Sequence, residues 1–127
     1  MSKVVLDATA LLAYLNAEAG QERVHEHFNE AAISAVNLAE VIAKLRELGK
    51  SEVVINQALA LLDLEVIAFD EQQAVAAGFL RPSIMRYLSL GDRACLALAR
   101  ALNVPALTAD RRWSAVPGFE DTSQQIR

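Results

Sequence analysis

An α/β fold, with a short and mostly parallel central sheet flanked by helices on both faces, is predicted by three features of the sequence. Short apolar runs alternate with longer segments of helical periodicity, the pattern of a parallel sheet covered on both sides. No repeat, low-complexity tract or Gly/Ser/Pro linker interrupts the 127 residues, so residues 1–127 read as one domain. With 54% apolar side chains the chain has enough burial capacity to fold without covalent or metal staples.

The elements follow in order. Val4-Val5-Leu6 is a β-branched strand stopped by Asp7, and Leu11, Leu12 and Leu15 mark a helix through about Asn16. Gln21 to Asn29 reads as a second short helix and Ala32-Ile33-Ser34 as a brief strand. Leu38, Val41, Ile42, Leu45 and Leu48 form one face of a helix ended by Gly49, after which Ser51 is suited to cap the next. That helix runs to Leu62 on Val54, Ala58, Leu61 and Leu62, and Val66 to Phe69 follows as a strand before a helix from about Glu71 to Phe79. Pro82 interrupts the pattern, which resumes to about Tyr87. Gly91 to Leu102 is a strongly apolar helix, Pro105 to Thr108 another strand, and a last strand is expected near Phe119.

Composition narrows the function. No stretch approaches the roughly 20 apolar residues that cross a bilayer, and an acid follows the first residues too soon for a signal-peptide core, so a cytoplasmic protein without membrane contact is expected. The single cysteine, Cys95, excludes an internal disulfide and has no neighbours at zinc-ligand spacing; it reads as a buried apolar residue. Net charge is −4, but it is unevenly spread: residues 1–77 balance to −7, whereas residues 78–127 carry seven arginines against four acids. An arginine-rich half beside an acidic half suits metal ions among carboxylates with a phosphate backbone alongside.

Four acids are the candidates for such a site. In open α/β sheets ligands bind beyond the carboxyl ends of the strands, and Asp7 ends the first strand while Asp110 lies two residues past Thr108. Asp92 opens the apolar helix and Glu40 lies mid-helix after the second strand. Hard divalent cations take oxygen ligands, and such ions activate water and steady the leaving oxygen in phosphodiester hydrolysis. Each acid also has a structural role open to it. Asp7 can cap a helix, Asp92 can close a capping box with Ser89, Glu40 faces away from its apolar stripe, and Asp110 can make an Asx turn. His25 and His27 read as surface residues of a short acidic helix, so histidine catalysis is disfavoured.

Read together, four segments resemble the VapC branch of the PIN-domain nucleases, and in the same order. They are Val4-Val5-Leu6-Asp7-Ala8-Thr9, Ser34-Ala35-Val36-Asn37-Leu38-Ala39-Glu40-Val41, Leu88 to Ala99 with Asp92 opening the helix, and Pro105-Ala106-Leu107-Thr108-Ala109-Asp110-Arg111-Arg112-Trp113. The resemblance implies a PIN-like domain whose Asp7, Glu40, Asp92 and Asp110 ligate one or two magnesium or manganese ions. Thr9, Asn37 and Thr108 become supporting polar groups. It further implies an endoribonuclease that is the toxin of a toxin–antitoxin pair, a homodimer, and a cognate VapB-like antitoxin that covers the site. An arginine inserted by the antitoxin can pair with the clustered carboxylates. Thr9 stands where serine is common, and the doubled Arg111-Arg112 adds charge beside the site.

Arg86, Arg93, Arg111 and Arg112 are candidate contacts to an RNA backbone, with Tyr87 and Trp113 available for base stacking, although core packing is the better role for Trp113. Rival readings fit less well. An aspartyl-phosphate phosphatase wants a second aspartate where Thr9 stands, and a receiver domain wants a late lysine, whereas residues 66–127 contain none. A PIN-like RNA-processing nuclease, or a module that binds RNA or protein without metal, are the remaining alternatives.

Overall fold

A computed structural model describes residues 2–80, 88–116 and 122–127. Five strands, β1 (Val4–Leu6), β2 (Ala31–Ser34), β3 (Glu65–Ile67), β4 (Ala106–Thr108) and β5 (Ser123–Gln125), form one parallel sheet in the order β3-β2-β1-β4-β5. The three middle strands are buried throughout, whereas the edge strands are half-buried or exposed.

Alternation along β1 sends Val4 and Leu6 to one face and Val5 to the other, and each face has its own core. The first is covered by α1 (Ala8–Leu15), α2 (Gln21–Glu26), α3 (Ala35–Glu47) and α4 (Glu52–Leu62), with Leu11, Val24, Val41 and Ile55 inside. The second is covered by α6 (Leu90–Leu102), on which α5 (Glu71–Phe79) packs, and it contains Cys95, Leu96, Leu98 and the fully buried Trp113. Each large side chain taken out of water here contributes about 1.5–3 kcal/mol. Trp113 is therefore a core residue and unavailable for stacking on bases.

Side-chain caps fix where the helices start. Asp7, Ser34, Ser51 and Asp70 accept backbone N–H bonds in the first turns of α1, α3, α4 and α5, and Ser89 with Asp92 closes a capping box on α6. Some elements differ from the sequence expectation. The second helix stops at Glu26, and a 3-10 turn over Phe28–Glu30 carries Phe28 into contact with Tyr14. The third strand ends at Ile67 because its pairing partner β2 ends at Ser34, where α3 begins. On α3 the buried line is Asn37, Val41 and Leu45, and Leu48 is exposed. The last strand is Ser123–Gln125; Phe119, like Tyr87 and the helical pattern after Pro82, lies outside the described residues.

Candidate active site

Sheet order fixes the place of the site. From β1 the chain moves outward to β2 and β3, then returns to β4 on the other side, so the crevice for a ligand opens beyond the carboxyl ends of β1 and β4. Asp7 is the first residue past β1 and is only 3% exposed. Its Oδ1 accepts from the Ala10 N–H at 2.8 Å and the Thr9 hydroxyl at 2.7 Å, and its Oδ2 from the Thr108 hydroxyl at 2.6 Å. Burial pushes the carboxyl up to about 6 from 3.8, against the opposing pull of Thr108, Thr9 and Ala10; the negative charge of Asp92 adds to the rise.

The two threonines also tie β1 to the β4 loop. Thr9 Oγ1 accepts from the Ala109 N–H at 2.9 Å, and Thr108 Oγ1 accepts from the Asp110 N–H at 2.9 Å. Each hydroxyl thus donates to Asp7 and accepts from the loop, which leaves the Asp7 carboxylate little freedom to rotate.

Glu40 reaches the crevice from α3. The residue as a whole is exposed, but its carboxylate lies against the first turn of α6, where a Cβ on Gly91 would overlap all three carboxylate atoms. Buried Asn37, one turn earlier, donates its Nδ2 to Glu40 Oε1 and to the Gly91 carbonyl, both at 3.0 Å. Loss of solvent raises the Glu40 pKa, the Asn37 bond lowers it, and Asp92 raises it again. Asp92 stands on α6 next to Gly91, with Oδ2 accepting from the Ser89 N–H at 3.0 Å. Asp92 thus lies near enough to raise both Asp7 and Glu40, and Cys95, buried on α6, has its thiol pKa raised by burial first and then by the charges of Asp7, Asp92 and Glu40. That thiol is inert.

Asp110 is placed differently. Its carboxylate is held by Arg112, with Nε on Oδ1 at 3.0 Å and Nη2 on Oδ2 at 2.7 Å, while the Arg112 N–H donates to Oδ1. Arg112 holds the acid below its usual pKa. Of the other arginines, Arg93 donates to the Ser89 carbonyl and to the Ala77 carbonyl of α5, bracing α6; Arg111 is exposed, and Arg86 lies outside the described residues. His25 is exposed and stacks on Tyr14, well apart in the chain order from these acids.

Among the described residues, no three Asp, Glu, His or Cys side chains stand close enough to chelate an ion as arranged. The donor set suits a hard divalent cation all the same: oxygen ligands only, two carboxyls whose charged form is penalised in the metal-free protein, and a buried Asn37 Oδ1 that has no hydrogen-bond partner among the described residues. Gly91 is the position that sequence reasoning missed. A glycine in the first turn of an otherwise strong helix costs about 1 kcal/mol relative to alanine, and that cost was the available signal of a close approach.

The model of one protein family, the PIN domain, matches residues 4–118. The chain belongs to the PIN domain family. PIN domains are a nuclease family, so the activity class is phosphodiester hydrolysis. Solved structures share the fold of this PIN domain at low identity. A toxin-antitoxin complex from Klebsiella pneumoniae matches with a TM-score of 0.74 at 17% identity, covering 98% of both chains. DNA-bound VapBC from Salmonella typhimurium matches at 0.73 and 21%, covering 100% of both. VapBC2 from Rickettsia felis, bound to a promoter fragment, matches at 0.71 and 18%, covering 96% of this chain and 97% of that one. No curated protein matches by sequence.

Proposed function

We propose that this PIN domain is a metal-dependent endoribonuclease acting as the toxin of a VapBC-type pair, with Asp7, Glu40 and Asp92 as its metal-holding core. The observation that carries the reading is the placement of Asp7 just past β1, where the sheet order reverses, with the Glu40 carboxylate laid against Gly91 and next to Asp92 on the first turn of α6. A magnesium or manganese ion, one or two per site, supplies activation of water and stabilisation of charge on the phosphoryl oxygens. The protein's own part is orientation. Thr9 and Thr108 fix both oxygens of Asp7, Asn37 fixes Glu40, and the Ser89 cap fixes Asp92. No protein nucleophile is called for, since the only thiol is buried.

RNA is the proposed substrate, with Arg111 and Arg112 on the rim as candidate backbone contacts. The proposed partners are a VapB-like antitoxin and a second copy of the chain. Support comes from the structural neighbours, which are toxin–antitoxin complexes, from a groove lined by Leu15, Leu45, Val54, Ile55 and Ala58, and from exposed Leu61 on α4 and Phe79 on α5, which offer apolar surface for association. A cytoplasmic setting accords with this role; among the described residues no helix is long and apolar enough to cross a membrane.

The test is cleavage of mixed structured and single-stranded RNA by purified protein with Mg2+, Mn2+ or EDTA. Cleavage that needs metal, Asp7 and Asp92 is expected. Cleavage that persists in Asp7→Asn, in a preparation free of contaminating nuclease, would refute it.

A further inference from the structure

Asp110 and Arg112 form a unit that the metal-holding role does not use. The guanidinium takes both carboxylate oxygens through two parallel bonds, the bidentate geometry that fixes an arginine in direction as well as position. The Asp110 side chain is 17% exposed and the Arg112 side chain 57%, so the acid is the inner and the cation the outer member. The acid itself is anchored three more times. Its N–H donates to Thr108 Oγ1, its carbonyl accepts from Gln125 Nε2 of β5 at 2.9 Å, and its Oδ1 caps the 3-10 turn over Arg111–Ala115. One hydroxyl, that of Thr108, separates this unit from Asp7, because Thr108 donates to the Asp7 carboxylate while accepting from Asp110.

Geometry separates Asp110 from the other acids: its two oxygens are taken by the Arg112 guanidinium, whereas the Glu40 carboxylate lies against Gly91, next to Asp92 on the first turn of α6. A carboxylate already matched by a guanidinium adds little net negative charge to a cation site. The guanidinium, by contrast, is a fixed and largely exposed positive group whose partner Asp110 is joined to Asp7 through the Thr108 hydroxyl.

We propose that Asp110 is the counter-ion that positions Arg112 to bind a phosphate of the RNA backbone, and is not a metal ligand in this chain. The proposal rests on the nuclease reading above and assigns the substrate-facing cation of the same site. Arg112 is then the contact and Asp110 a positioning residue that acts through it. Lysine does not replace arginine in such a role, because an ammonium cannot take the bidentate geometry.

Two readouts test this without relying on turnover: Mn2+ binding by calorimetry, and binding of a fluorescein-labelled single-stranded RNA of mixed sequence in EDTA at several salt concentrations. Wild type, Asp110→Asn, Arg112→Gln, Arg112→Lys, Asp92→Asn and the double variant Asp110→Asn/Arg112→Gln are compared, each shown folded by circular dichroism. Asn keeps the cap of the 3-10 turn, and Arg112 is largely exposed, so folding is retained. Asp110→Asn is expected to keep Mn2+ affinity within about twofold, and Asp92→Asn to lose about tenfold or more. Arg112→Gln should flatten the slope of log affinity against log salt by about 0.7, one phosphate contact on a single strand. Asp110→Asn should weaken RNA binding although it removes a negative charge, and should not weaken it in the Arg112→Gln background; Arg112→Lys should recover the salt slope only in part.

A tenfold loss of Mn2+ affinity in Asp110→Asn would make it a metal ligand and overturn the proposal. An unchanged salt slope in Arg112→Gln, or tighter RNA binding in Asp110→Asn, would overturn it too while leaving the nuclease reading intact. Failure of the wild type to bind either Mn2+ or RNA would sink both readings.

Discussion

Replacing Asp7 by asparagine should make the metal-free protein gain stability relative to wild type as pH rises, while abolishing metal-dependent cleavage. The Asp7 carboxyl has a pKa of about 6 in the fold against 3.8 as its ordinary value, chiefly because it is buried. A carboxyl raised in this way favours the folded state fully below pH 3.8, and that contribution is lost as pH climbs through about 6. At 1.36 kcal/mol per pH unit the whole effect is about 3 kcal/mol, of which about 2 kcal/mol falls between pH 4.5 and 7.5. Asparagine does not titrate. Its altered bonds to Thr9, Thr108 and Ala10 cost the same at every pH, so they cancel in the pH dependence of the difference between the two proteins. Urea unfolding in EDTA, at steps from pH 4.5 to 7.5, should show Asp7→Asn gaining on wild type by about 2 kcal/mol across that range, equivalent to several degrees of melting temperature. A difference that stays flat with pH would refute the claim that Asp7 is held with a penalty on its charge.

The remaining predictions concern the groups around it. Gly91→Ala removes the space that the Glu40 carboxylate occupies, so Mn2+ affinity measured by calorimetry should fall about tenfold while helix stability gains up to about 1 kcal/mol; unchanged affinity would show that Glu40 needs no seat there. Thr108→Val deletes a donor to Asp7 and an acceptor for the Asp110 N–H, and should cost about 1–3 kcal/mol in urea unfolding; because Thr108 is the strongest influence lowering the Asp7 pKa, the stability change should also shift to higher pH. Trp113→Ala should cost about 3–5 kcal/mol through the cavity it leaves in the second core, and a variant that unfolds no more easily than wild type would contradict its burial.

Much of this arrangement was legible in the sequence, for physical reasons that differ by residue. Asp7 could be read because a parallel strand that ends in an acid places it where such sheets bind ligands, and Ser89 and Asp92 because a capping box is a local pattern. Glu40 was not legible by periodicity. Its position away from the apolar stripe looks solvated, and only the approach of α6, set by a glycine 51 positions later in the chain, brings it into the crevice. The pairing of Asp110 with Arg112 was equally hidden, since a 3-10 turn and not a helix or strand sets their spacing. The edge strand Ser123–Gln125 has no apolar run to reveal it, because an edge of the sheet demands less burial.

Whether Asp7, Glu40 and Asp92 hold the metal that cleavage needs is decided by titrating wild-type protein with Mn2+, with free ion followed by its paramagnetic resonance signal and RNA cleavage measured on the same samples. Saturable binding of one or two ions is expected, falling about tenfold or more in Asp7→Asn, Glu40→Gln and Asp92→Asn, with cleavage lost in step. Cleavage lost in these variants while Mn2+ binding stayed at the wild-type level would contradict it.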